Sequence, residues 1–161
     1  MPVIDVEKDL DNHRLTITAQ FAAPVERVWQ IWADPRQLET WWGPPTHPAT
    51  VVEHDLAAGG SVAYYMTGPD GEKFHGWWRV TVVEPPHRLQ YDDGFADAEG
   101  NPVEGAPVAH NSAELTPHEG GTRMVTTSTY ATADELQKVL EMGAVEGASA
   151  AMGQIDELLA A

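Results

Sequence analysis

Between residues 49 and 130 the chain passes through one strand-like segment after another, and this succession limits its possible folds more than any other feature. Residues 50–54, 62–67, 73–84, 88–92, 108–115 and 122–130 carry β-type patterns bounded by turn residues. Gly59-Gly60 marks one turn and Gly68-Pro69-Asp70-Gly71 a hairpin; Pro85-Pro86 stops the longest segment, and residues 117–121 join the last two. Connections this short make antiparallel neighbours, because a parallel pair needs a crossover of a dozen residues or more. An earlier segment, 14–21, alternates cleanly, with Leu15, Ile17, Ala19 and Phe21 on one face. The expected fold is α+β, an antiparallel sheet of six to seven strands in a single domain over residues 1–161, with helices covering one face.

The helices bracket that sheet. After Pro24, the residues Val25, Val28, Trp29 and Trp32 recur at helical spacing, and Asp34-Pro35 ends the stripe. A second short helix through Leu38 leads into Trp41-Trp42-Gly43-Pro44-Pro45. Proline lacks the amide donor and clashes with the preceding turn, so the helix stops there and two large rings lie beside the sheet. A last helix is expected over 133–159, capped by Thr132 or Asp134. Its inward stripe is Leu136, Leu140, Gly143, Gly147, Ala151, Gln154, Ile155 and Leu158. Each interior glycine costs about 1 kcal/mol relative to alanine. These glycines therefore serve close packing on the sheet, or they leave floor space for a ligand, and the sequence leaves both readings open. Residues 92–107, rich in Asp, Glu, Gly and Pro, form the one long irregular stretch, either a lid or a solvated excursion.

Composition excludes several functions. With 9 basic and 25 acidic residues among 161, the net charge of −16 repels phosphate backbones and anionic headgroups. Neither nucleic acid nor a membrane is an expected partner, and a cytoplasmic location is the default. Cysteine is absent, which removes disulfides, thiolate nucleophiles and Cys-based metal sites. The seven histidines are scattered without a metal-binding spacing, so no metal is expected. Gly59-Gly60 and Gly120-Gly121 lie in hairpin-like turns without the context of a phosphate loop, and no cofactor is expected.

What remains is a cavity. If Leu15, Ile17, Val62, Tyr64, Met66, Trp78, Val80, Leu89 and Tyr91 face inward, the interior is apolar, with Asn111, Thr126 and Ser128 as polar exceptions. Apolar walls with a few convergent polar groups describe a small-molecule pocket. The opposite strand phase would turn His75, Trp77 and Arg79 inward instead, and sequence alone does not decide between them. The ligand-binding candidates are Trp41, Trp42, Tyr64, Met66, Trp78, Tyr91, Asn111, Thr126 and Met142. A cyclase or hydrolase using the same cavity would need an acid or base there; His75, Arg79, His110 and Asn111 are the candidates, with no catalytic residue assigned. A third reading, a chaperone-associated stress-response interaction protein, calls for an exposed apolar patch at the Trp-Trp-Gly-Pro-Pro turn, which would also permit a homodimer.

The run Phe21-Ala22-Ala23-Pro24-Val25-Glu26-Arg27-Val28-Trp29, then Asp34-Pro35 and Trp41-Trp42-Gly43-Pro44, resembles the START/Bet v 1-like (SRPBCC) superfamily. So do Gly68-Pro69-Asp70-Gly71, Gly76-Trp77-Trp78-Arg79-Val80, Glu84-Pro85-Pro86, Gly121-Thr122-Arg123-Met124 and Gln154-Ile155-Asp156-Glu157-Leu158-Leu159. Within the superfamily the chain is most similar to homologues of the C-terminal domain of the heat-shock-protein ATPase activator (Aha-type). The resemblance covers nearly the whole chain in order. It implies a helix-grip fold, a curved antiparallel sheet around a long C-terminal helix with a cavity between them. Members bind lipids, sterols or polyketides, cyclise polyketides, or stimulate a chaperone ATPase, and they share no single catalytic set.

Overall fold

The computed structural model describes residues 2–160. Eight strands form one antiparallel sheet: β1 (Val3–Asp9), β2 (Arg14–Phe21), β3 (Ala49–His54), β4 (Ser61–Thr67), β5 (Lys73–Glu84), β6 (Arg88–Ala96), β7 (Val108–His118) and β8 (Gly121–Thr129). Their order across the sheet is β1-β2-β8-β7-β6-β5-β4-β3, so β3 to β8 are a continuous meander and the β1-β2 hairpin adds to its last strand. Between β2 and β3 lie α1 (Val25–Ala33) and α2 (Pro35–Trp42). The eighth strand, β1, is absent from the sequence reading. A register shift between Val3 and Asp5 breaks its alternation, and the strand lies at the sheet edge with mostly exposed side chains.

The strand phase is settled by register. Paired residues in an antiparallel ladder share a face. Leu15, Ser128, Asn111, Tyr91 and Val80 form one row across five strands, and Ala109, Asp93, Trp78 and Val62 form another. Both rows face the helices. His75, Trp77 and Arg79 therefore stand on the outer face, as does His110. β6 continues four residues beyond the expected 88–92, so what reads as the start of an irregular loop is strand. The remaining loop, 97–107, folds back on β6, with the Val103 amide bonded to the Phe95 carbonyl and Ala96 bridged to Pro102.

The expected helix over 133–159 is three shorter ones: α3 (Ala133–Glu141), α4 (Ala144–Met152) and α5 (Ile155–Ala160). Gly143 adopts φ 88°, a left-handed conformation that interrupts the hydrogen-bond ladder and that other residues reach only with strain. Thr132 caps α3, its hydroxyl accepting from the Glu135 amide at 3.1 Å. Asp34 both ends α1 and caps α2, accepting from the Arg36 amide at 2.9 Å. The core joins Leu15, Ile17 and Phe21 of β2 with Val28, Ile31 and Trp32 of α1, Trp41 of α2 and Leu136 and Ile155 of the closing helices.

Candidate functional site

A cavity of about 450 Å³ survives between the inner face of the sheet and α2, α3 and α4. Its size falls in the range of small-molecule sites. Three structural choices keep it open. The break at Gly143 changes the direction of the closing helices. A Cβ built at Gly147 would meet nothing within 4 Å, so that glycine leaves room and does not seat the helix on the sheet. Gly76, opposite Tyr64 in the ladder, lets the phenol ring lie over bare backbone; a Cβ there would come within 2.3 Å of the ring's far end.

One wall is aromatic. Trp41 and Trp42 end α2, just before the Gly-Pro-Pro turn, and pack edge-to-face with their centroids 5.5 Å apart. Trp32 meets Trp41 at 4.9 Å, Trp42 meets Trp78 at 4.9 Å, and Trp78 stacks on Tyr91 at 4.0 Å. Such pairs add to simple area burial by about 0.5–1.5 kcal/mol each. Trp41 is only 1% exposed and donates its indole N–H to the Ile31 carbonyl at 2.9 Å. The Trp32, Trp42 and Trp78 indole N–H groups are buried without a hydrogen-bond partner. Trp42 N–H lies near the Tyr64 hydroxyl, where it slightly opposes that phenol's raised pKa, but outside hydrogen-bond geometry.

Beside the aromatic residues, on neighbouring strands of the same sheet face, the wall turns polar. Ser128 donates to Asn111 Oδ1 at 2.6 Å, and Thr126 donates to the Ile17 carbonyl at 3.3 Å. Between Trp78 and Ala109 in the ladder stands Asp93, on the cavity wall. Burial pushes its carboxyl up to about 7; the Asn111 amide works against that rise, and neighbouring Asp92 adds to it. Burial and the Asp93 charge also raise the phenols of Tyr64, Tyr91 and Tyr130, the last to about 12.

Of the nine residues read from the sequence as ligand-binding, Trp41, Trp42, Tyr64, Met66, Tyr91, Asn111, Thr126 and Met142 line the cavity. Trp78 does not; it is fully buried behind Tyr91 and supports the wall. The acid–base candidates separate. Asn111 faces the cavity, while His75, Arg79 and His110 lie on the other side of the sheet, where His110 holds Asp92 at 2.6 Å. Sequence reading missed Trp32, Phe95, Asp93 and Tyr130. Continuing the Leu89, Tyr91 phase by one step would have reached Asp93, but Asp-Asp-Gly composition reads as a turn. Met142, 62% exposed, and Phe95, 44% exposed, border both cavity and solvent and so mark its mouth. Residues 97–106 do not line the cavity and form no lid over it. The paired indoles turn inward, so the Gly-Pro-Pro turn presents no exposed tryptophan patch. Among the described residues, no group of three or more His, Asp or Glu side chains is placed to hold a metal, and no helix is long and apolar enough to cross a membrane.

The family described as Activator of Hsp90 ATPase homolog 1-like protein matches residues 22–160. No curated protein matches. Among solved structures, the chain is 60% identical to a protein from Mycobacterium smegmatis, with a TM-score of 0.91 over 98% of this chain and 97% of that one. A protein from Arthrobacter aurescens is 51% identical, with a TM-score of 0.94 over 98% of this chain and 92% of that one. The AHSA1 protein of Silicibacter pomeroyi, at 22% identity, shares the fold, with a TM-score of 0.72 over 91% of this chain and 97% of that one.

Proposed function

The chain belongs to the Activator of Hsp90 ATPase homolog 1-like family, and we propose that it binds a small hydrophobic or aromatic molecule, lipid- or polyketide-like, between sheet and closing helices. One observation carries this reading: the interior is not filled. A cavity of about 450 Å³ persists beside an aromatic wall in a protein whose other inward side chains pack closely. Interiors normally leave few voids larger than a water, because empty space forfeits dispersion contacts. A void this large, opening to solvent at Met142 and Phe95, is held by the backbone choices at Gly143 and Gly147. We propose Trp41, Trp42, Tyr64, Met66, Tyr91, Asn111, Thr126 and Met142 as ligand contacts, with Trp78 acting through Tyr91.

Tryptophan fluorescence reads the site directly, since Trp32, Trp41 and Trp42 line it. Titration with a panel of lipids, flavonoids and polyketides should give saturable quenching or a blue shift for at least one class. Silence across the panel, with no rise in melting temperature, would overturn the proposal. The acid–base alternative loses His75, Arg79 and His110 to the outer face but keeps one acid on the cavity wall, Asp93, so chemical turnover of a bound panel member would favour it over simple binding.

A further inference from the structure

The wall contains a single charged side chain. Among the described residues no Lys, Arg or His borders the cavity, and Asp93 is its only acid. Asp93 stands where the main cavity meets a side chamber of about 130 Å³, also bordered by Tyr64, Ala109 and Tyr130. A fatty-acid carboxylate entering this space would find no cation and would meet a carboxyl group. The whole-molecule charge of −16 opposes anions further and draws cations toward the mouth.

Resting on the cavity-binding reading above, we infer that Asp93 is the polar anchor of the site and selects a lipophilic aromatic amine, its ammonium against Asp93 and its ring system against Trp32 and Trp42. The ammonium supplies the charge whose absence makes this carboxyl expensive to ionise, and its remaining protons face the Tyr64 and Tyr130 hydroxyls. Asn111 of β7 and Asp92 of β6 act on Asp93 directly; its charge in turn acts on Tyr64 of β4, Tyr91 of β6 and Tyr130 after β8, and Glu135 of α3 acts on Tyr130. None of them is a cation. An amine remains protonated through neutral pH, much as lysine does. Its affinity should therefore follow the ionisation of Asp93 and rise with pH. A carboxyl titrating near 7 is roughly one-tenth ionised at pH 6 and nine-tenths at pH 8, so affinity should rise about tenfold across that interval.

Calorimetric titration of the full chain with 2-naphthylmethylamine, 2-naphthylmethanol and 2-naphthoic acid tests this. At pH 8 the amine should bind at least tenfold more tightly than the alcohol, and the acid most weakly. The amine's preference should shrink about tenfold at pH 6. Asp93→Asn should abolish the preference, whereas Asp92→Asn, on the outer face, should keep it. An acid that binds as well as the amine, or a preference that survives Asp93→Asn, overturns the inference. If the alcohol binds but the amine gains nothing, Asp93 is not the anchor and the cavity reading stands. If none of the three binds while a lipid, flavonoid or polyketide does, the inference falls and the cavity reading stands; if nothing binds at all, both fall. The pH dependence of the unmodified protein keeps the test valid should a variant fold poorly.

Discussion

Asp92 and Asp93 are chemically identical neighbours, and strand geometry sends them to opposite sides of the sheet. Asp92 meets His110 outside at 2.6 Å. Asp93 faces inward, where burial raises its carboxyl to about 7. A carboxyl whose folded pKa exceeds its unfolded value of 3.8 binds its proton more tightly when folded. Its contribution to stability is thus fully present below pH 4, falls as pH rises between about 4 and 7, and stays lost above. Three units correspond to at most about 4 kcal/mol, with water in the cavity lowering that figure. Asparagine imitates the protonated form and does not titrate. Asp93→Asn should therefore leave the melting temperature nearly unchanged at pH 4 and raise it by several degrees at pH 8. Asp9 and Asp34, held below the usual carboxylate range by hydrogen bonds from Asn12 and Gln37, act in the opposite sense. They are common to both proteins and cancel in the difference. Equal melting-temperature differences at the two pH values would show that Asp93 is solvated like a surface carboxylate.

At the scale of elements, the two glycines of the closing helices do different work, and substitution separates them. Gly147 lies inside α4 with open space where its Cβ would stand. Gly147→Ala should stabilise by up to about 1 kcal/mol through helix propensity. Gly147→Leu should fill the cavity and weaken ligand binding at least tenfold without lowering the melting temperature. Gly143 is held left-handed, so Gly143→Ala should destabilise by about 1–2 kcal/mol in a denaturant titration. Strand periodicity made most of the sheet legible, because Leu15, Ile17, Val62, Tyr64, Trp78, Val80, Leu89 and Tyr91 alternate with outward residues as a half-buried sheet requires. The break at Gly143 was not legible, since glycine within an apolar stripe is equally compatible with an intact helix. Neither was the end of β6, where Asp92-Asp93-Gly94 carries turn composition on strand backbone. Local chemistry fixed the elements there less than cross-strand pairing did.

At the scale of the molecule, the cavity is closed at one end by hydrogen bonds and open at the other. Gln154 donates to the Gly43 carbonyl at 2.7 Å, tying the start of α5 to the turn after the paired indoles. The Arg27 guanidinium donates to the Leu158 carbonyl at 3.0 Å and to Gln37 Oε1 at 2.7 Å, joining α5 to α1 and α2. Among the described residues no such tie reaches the α3–α4 corner, where Met142 faces solvent beside the left-handed Gly143. Opening free energies vary across a fold with local packing and hydrogen bonding, so the untied corner should open before the tied end. Amides of residues 139–147 should exchange with deuterium faster than those of 155–160 in the free protein, and a bound ligand should slow the former most. Gln154→Ala strips a buried carbonyl of its donor and should cost about 1–3 kcal/mol. It should also speed exchange in α5 toward that of the corner while leaving the corner itself unchanged. The ligand's route follows from the same asymmetry: entry at Met142, with the indole end staying shut. Uniform exchange along all three helices would remove the asymmetry on which this route rests, and ligand protection confined to α5 would place the gate at the other end.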